Sequence, residues 1–415
     1  MFIKISLITL TVVSLIFTNC LASDPVPMPT PITLLTSTPT PTPTPVPIPV
    51  QMHEITHYDG NLLPEMTYAG SDKCEHNEQL SSSSICLEIL SYGGVSQENS
   101  ETALLAISAI ASKYPNSQKE ITVDWPYFGP SGGKQNYLAF VLWHDEHSDI
   151  AAITYDMCVF MRVLPGVKDS CVNWANDLLN ESSVTNGAMT GSAYKIHNGS
   201  ISVIPNNVWG KNIETLENII KDPSLAYDDP RRIMAHEYFH TYQSLHYVNI
   251  PQRPLEDLPS FGPMWFIEGS SEYTSSRVGA LEYWLDWNGH VNYRINSIRD
   301  LLVRNPRYQD LSHIETMAQL NEIIDIDDVL LTNTGRVLVY DLGFLAVSYA
   351  ISISSHDSVI LNYWDDLSEH GPEKSFERNV GLTLEEFYLQ FEKFLNMSKV
   401  EQLSLIPLHP EGSDY

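Results

Sequence analysis

Arg231 to His246 reads RRIMAHEYFHTYQSLH and holds two histidines four residues apart, with a glutamate directly after the first: His236, Glu237 and His240. On a helix of 3.6 residues per turn, positions i and i+4 stand one above the other, so both imidazoles can face one metal ion while Glu237 projects beside them. Imidazole nitrogens suit zinc, and two of them leave room on a tetrahedral Zn2+ for a third protein ligand and a water molecule. Glu237, which is not needed as a ligand, can take a proton from that water. The pattern points to metal-assisted hydrolysis; the same letters also describe a solvated helix with two surface histidines.

The elements that must position this trio are legible around it. Asp229 can serve as N-cap, and Pro230 then falls at the first helical position, where a missing N–H costs nothing. Asp228 adds negative charge at the positive end of the helix. Past a Pro-containing loop, Pro251 to Gly262, comes Trp265-Phe266-Ile267-Glu268-Gly269-Ser270-Ser271-Glu272-Tyr273. Glu268 and Glu272 are one helical turn apart and share a face.

These two motifs together resemble the gluzincin metallopeptidases, which include thermolysin-like and aminopeptidase branches. In that family a downstream helix supplies a Glu as third zinc ligand, and in the aminopeptidase branch this Glu stands in a Trp-x-x-Glu-Gly setting, which Trp265 to Gly269 matches. The resemblance makes His236, His240 and Glu268 the zinc ligands and Glu237 the general base. It gives Glu272 the part of an acidic residue that receives a hydrogen bond from a ligand histidine; a solvated helix carboxylate is the other reading. Tyr340-Asp341-Leu342-Gly343 is similar to the family's Tyr-x-x-Gly, whose hydroxyl hydrogen-bonds the oxyanion of the tetrahedral intermediate. Tyr340 takes that role by resemblance, against the alternative of a core tyrosine. His290, His313, His356 and His370 are rival electrophiles on the same side of the metal motif. Gly187-Ala188-Met189-Thr190-Gly191 is like the family's Gly-x-Met-Glu-Asn, but Thr190 stands where the amine-binding Glu would be, so endopeptidase action is expected over aminopeptidase action. The resemblance runs from about Ser192 to Leu395.

The resemblance also implies a fold class: α+β, zincin-like and two-lobed, with a mixed β N-terminal lobe over residues 51–225 and a helical lobe over 226–400, the metal helix between them and a tail over 401–415. Ser100 to Tyr114 reads as an amphipathic helix stopped before Pro115. Ile121 to Trp125, Tyr137 to Trp143, Ile150 to Tyr155, Ala193 to Ile196 and Ser200 to Ile204 read as strands. Ser200 to Pro205 is expected near the strand whose edge takes up an extended peptide. His144 and His147 follow a strand as surface histidines or a second metal pair. Thr383-Leu384-Glu385-Glu386 is a capping box that opens a helix to Leu395.

Composition bounds the partners and the compartment. The chain carries 51 acidic against 23 basic side chains, a formal charge of −28, which opposes binding to nucleic-acid phosphates. Residues 1–23 have the charged, apolar and small-residue order of a secretory signal, with Lys4 before the apolar run. Two endings are open there: cleavage after Ala22, or lipidation of Cys20 as a membrane tether. Residues 24–50 alternate proline and threonine and form an extended spacer. The remaining cysteines, Cys74, Cys86, Cys158 and Cys171, read as two disulfides in an exported protein, Cys74 with Cys86 and Cys158 with Cys171. The sequence thus describes a secreted or surface-tethered zinc metallopeptidase acting on a peptide or protein substrate. Hydrolysis of a non-peptide bond is one rival, and a non-catalytic surface binding protein on a zincin scaffold is the other, although a binding protein has no physical need for the proton acceptor Glu237.

Overall fold

The computed structural model describes residues 67–70, 85–114, 136–144, 149–151, 153–154, 157, 172–173, 175–180, 188–192, 199–247, 262–316, 319 and 337–406. The export signal, Cys20 and the Pro/Thr spacer lie outside them, as do Cys74, Cys158, Cys171 and His147, so the disulfide expectation falls outside too.

Five strands make one sheet in the order β1-β2-β3-β5-β4: β1 (Thr67–Gly70), β2 (Ile85–Tyr92), β3 (Asn136–Trp143), β4 (Met189–Ser192) and β5 (Gly199–Pro205). The central strands β2, β3 and β5 run parallel, while β1 and β4 pair antiparallel at the two edges. Parallel strands covered on both faces need continuous apolar runs rather than alternation. Phe140, Val141, Leu142 and Trp143 supply one, all four being buried. A parallel pair also needs a long crossover, and between β2 and β3 it includes α1 (Gln97–Lys113). That helix starts ahead of the expected Ser100 because the Ser96 hydroxyl accepts from Asn99 N at 3.2 Å and caps it there. The described residues within 150–155, expected as a strand, are helical instead. Asp149 is the reason: its Oδ1 accepts from Ala151 N at 3.0 Å and its carbonyl from Ile153 N at 2.9 Å, an N-cap that overrides the β-branched composition.

After the sheet the chain is helical: α2 (Pro230–Tyr247), α3 (Met264–Leu281), α4 (Trp287–Arg304), α5 (Gly343–Ile353), α6 (Tyr363–His370), α7 (Pro372–Val380), α8 (Leu384–Leu395) and α9 (Lys399–Leu405). The capping box at Thr383 is formed. Helix α2 packs on α1, β4 and β5 on one side and on α3 and α6 on the other, so it lies between the sheet and the remaining helices. Tyr238 on α2 fixes the first contact, donating from its hydroxyl to Tyr114 O at 2.9 Å. Phe239 meets Trp364 of α6 edge-on and holds the second, while beyond it Trp265 of α3 stacks on Phe387 of α8 at 5.5 Å between centroids. Each such fully buried ring stabilises the fold by roughly 1.5–3 kcal/mol.

Helices α3 and α5 cross where Gly269 faces Gly343. A Cβ at Gly269 would overlap the Gly343 carbonyl, and one at Gly343 would sit 2.5 Å from Trp265 O. Only two hydrogens fit at that crossing. Among the described residues no single helix is long and apolar enough to cross a membrane.

Candidate metal centre

Helix α2 begins as the sequence suggests: Asp229 Oδ1 accepts from Arg231 N at 2.9 Å, capping the helix that carries His236, Glu237 and His240. Helix α3 brings Glu268 opposite them. His236 Nε2 lies 3.1 Å and His240 Nε2 3.2 Å from Glu268 Oε2, and the two imidazole nitrogens are 2.9 Å apart. Among the described residues these three form the group of ligating side chains that could hold a metal ion. The donor set can be tested against zinc. Ligand atoms about 2.0–2.1 Å from a tetrahedral ion stand about 3.3 Å from one another, so the triangle needs to open by only about 0.1–0.4 Å. Two nitrogens and one carboxylate oxygen favour Zn2+ over Mg2+ or Ca2+.

The tautomer of His240 follows from its neighbour Gln243. The Gln243 amide donates from Nε2 to Ile267 O at 2.9 Å and to Ser270 Oγ at 2.9 Å. A backbone carbonyl can only accept, so Oε1 must be the atom facing His240 Nδ1, at 2.9 Å. Nδ1 therefore carries the proton and donates it, which leaves the Nε2 lone pair for the metal.

His236 is oriented by Glu272. Its Nδ1 is 3.0 Å from Glu272 Oε1, an ion-pair distance without the alignment of a hydrogen bond. Glu272 is not the solvated carboxylate of the alternative reading: it is buried, and Arg232 Nη1 donates to both of its oxygens at 2.9 and 2.8 Å. Arg294 on α4 donates to Glu272 Oε2 from Nη2 and to Asp341 Oδ1 from Nη1 at 2.6 Å. Burial works against the charged form of Glu272, but the two guanidiniums outweigh it and hold the carboxyl well below its usual range. Burial likewise pushes the His236 imidazole down, and Glu268 and Glu272 together reverse this and raise it to about 10. The same contest raises His240, with Glu268 as the main opposing partner, and keeps Glu268 far below the ordinary carboxylate range.

The electrostatics therefore favour a positive charge among these groups. Glu272 and Asp341 pair with Arg232 and Arg294, while Glu268 lies between the two imidazoles, where a divalent cation would meet its charge. Glu237 is itself buried beside the ligands.

Tyr340 reaches the same place from a different element. It sits in the π-helical turn Val337–Leu342 that leads into α5, a local widening of the kind that recurs at functional sites. Its ring meets that of His236 edge-on at 5.7 Å. The Glu268 charge, then burial and the Glu237 charge hold its hydroxyl well above the ordinary phenol range, so it stays a proton donor. The Gly269–Gly343 crossing lets this turn approach so closely: Gly269 follows Glu268, and Gly343 lies one helical turn after Tyr340.

The rival electrophiles are elsewhere. His290 is buried with Nε2 accepting from Arg294 Nε at 2.8 Å, and burial plus the two arginines hold it neutral. His356 pairs with the Tyr114 hydroxyl at 3.1 Å, while His313 and His370 approach the surface carboxylates Asp310 and Glu369. His144 stands 3.5 Å from Asn206 Nδ2 and belongs to no metal-ligating group among the described residues. Thr190 lies on the edge strand β4. Sequence reading missed Gln243, Arg232, Arg294 and Asp341. Gln243 and Arg232 carried a signal, one a turn beyond His240 and the other a turn before His236 on the same helix. No protein-family profile and no curated protein matches the chain.

Proposed function

We propose that the chain is a zinc-dependent peptidase of gluzincin type on a zincin-like two-lobed scaffold, exported or surface-tethered, and acting within peptide chains rather than at their amino ends. The observation that carries this reading is the convergence of His236 Nε2, His240 Nε2 and Glu268 Oε2 within 2.9–3.2 Å of one another, with the non-ligating Glu237 and the protonated Tyr340 at the same point. A zinc ion supplies Lewis acidity when bound, acidifying water and polarising a carbonyl. Glu237 accepts the proton that the attacking water gives up and delivers it to the departing amine nitrogen, so one carboxylate serves both transfers. Tyr340 donates to the carbonyl oxygen as negative charge develops on it, and its raised pKa keeps the hydroxyl protonated at neutral pH. Gln243 and Glu272 hold the two imidazoles in the ligating orientation. The endopeptidase assignment rests on the sequence resemblance, in which Thr190 stands where the amine-binding Glu would be.

Digestion of an unstructured protein such as reduced casein, with and without chelator and read by mass spectrometry, tests this. Internal cleavage that chelator abolishes and zinc restores is expected. Release of single amino-terminal residues would contradict the endopeptidase assignment, and a metal-loaded protein that cleaves nothing would contradict the activity.

A further inference from the structure

Arg294 spends every nitrogen of a fully buried guanidinium on a different element. Nε donates to His290 Nε2 at 2.8 Å on its own helix, Nη1 to Asp341 Oδ1 at 2.6 Å on the turn carrying Tyr340, and Nη2 to Glu272 Oε2 on the ligand helix α3. Its plane lies over the rings of Phe344 at 4.7 Å and Tyr227 at 5.1 Å, which fix its orientation. His290 can accept from Nε only as the neutral imidazole with its proton on Nδ1, the form that burial and the neighbouring arginines favour. Arg294 thus touches none of the ligand atoms, yet each of its acidic partners adjoins one half of the centre. Glu272 faces His236 Nδ1 at 3.0 Å, and Asp341 is the residue after Tyr340.

We propose that Arg294 is a positioning residue that locks the two halves of the centre into one register: through Glu272 it sets the His236 imidazole, and through Asp341 it sets the Tyr340 hydroxyl. This rests on the peptidase reading above, in which those two side chains act on the same carbonyl. A planar fork with fixed donor directions can hold two carboxylates and an imidazole at once. A lysine ammonium, a compact point charge on a flexible stem, cannot span all three. Arg232 does not duplicate the task, because its remaining donors go to Ala226 O and Tyr227 O and it reaches Glu272 alone of the two carboxylates.

The test uses zinc affinity, measured by chelator competition, and the affinity of the zinc-loaded protein for acetohydroxamate, a metal-directed probe that also accepts a hydrogen bond. Both are read without turnover, on wild type, Arg294→Lys, Tyr340→Phe and the double variant. Arg294→Lys is expected to weaken zinc binding about 10- to 100-fold through the loosened Glu272–His236 contact. It should also weaken hydroxamate binding about as much as Tyr340→Phe does, roughly five- to tenfold, with no further loss in the double variant. Asp341→Asn weakens one arm only, because its amide oxygen still accepts from Nη1 but carries no charge: hydroxamate binding should fall while zinc affinity holds, and this variant carries the test if Arg294→Lys does not fold. Additive losses in the double variant, an unchanged zinc affinity in Arg294→Lys, or wild-type hydroxamate binding in Asp341→Asn would overturn the inference while leaving the metal centre intact. Wild-type protein that takes up no zinc would overturn the metal reading, and this inference with it.

Discussion

Replacing Gly343 by alanine sets two well-characterised effects against each other. In a helix the exchange gains about 1 kcal/mol from propensity alone, because alanine has less backbone entropy to lose. Here the added Cβ would stand 2.5 Å from Trp265 O and 3.1 Å from Gly269 Cα, both backbone atoms of α3. A comfortable C···O separation is about 3.3 Å, so the crossing must widen by roughly 0.8 Å, and no side chain is available to rotate away. Overpacking of this kind costs about 1–3 kcal/mol, which cancels or exceeds the gain and leaves a net loss of about 0–2 kcal/mol. The functional consequence is larger than the energetic one. Tyr340 lies one turn upstream on the same rigid segment, so a shift of that size carries its hydroxyl out of hydrogen-bond reach and should lower kcat about 10- to 100-fold. Zinc content should hold, since the ligands sit on α2 and α3. Urea unfolding, zinc analysis and peptidase assay on one preparation measure all three. A Gly343→Ala protein that is stabilised by the full propensity gain and fully active would refute the argument that the crossing positions Tyr340.

Gln243→Leu removes the acceptor that fixes the His240 tautomer, and zinc affinity by chelator competition should fall about 10- to 100-fold with the fold intact. Because His236 is raised to about 10 in the metal-free protein, it is protonated at neutral pH and must give up that proton to bind zinc. Calorimetry at pH 7 in buffers of different ionisation enthalpy should show at least one proton released per zinc, and affinity should climb as pH rises toward 10; no release would contradict the coupling. His290 has its folded pKa depressed below 6.5, so as pH falls through that value the unfolded chain binds a proton that the fold refuses, and stability declines by about 1.4 kcal/mol per pH unit. His290→Gln keeps an acceptor for Arg294 but does not titrate, and should flatten the stability profile as pH falls below about 6.5 by one proton's slope.

The parts of the centre that the sequence made visible are those written locally. His236, Glu237 and His240 share a helix face, Glu268 follows an apolar run, and Asp229-Pro230 and Thr383 announce helix starts that the structure contains. The strand at Tyr137 to Trp143 was equally plain, because burial on both faces demands an unbroken apolar run. What could not be read is what depends on partners remote in the chain. Arg294 meets Asp341 across 47 residues, and Arg232 meets Glu272 across 40; a buried arginine and a solvated one look alike as letters. The two glycines were legible as motif letters, whereas their contact with each other was not. The helix after Asp149 shows the opposite failure, a local cap that outweighed composition.

Zinc content and peptide cleavage measured together on wild type and Glu237→Gln test the central claim most directly. The substitution keeps shape and removes the basic carboxylate, so about one zinc per chain should remain in both proteins while turnover of an internally quenched peptide falls by about 10²–10⁴. Equal cleavage by the two proteins, or no zinc in either after reconstitution, would contradict the account.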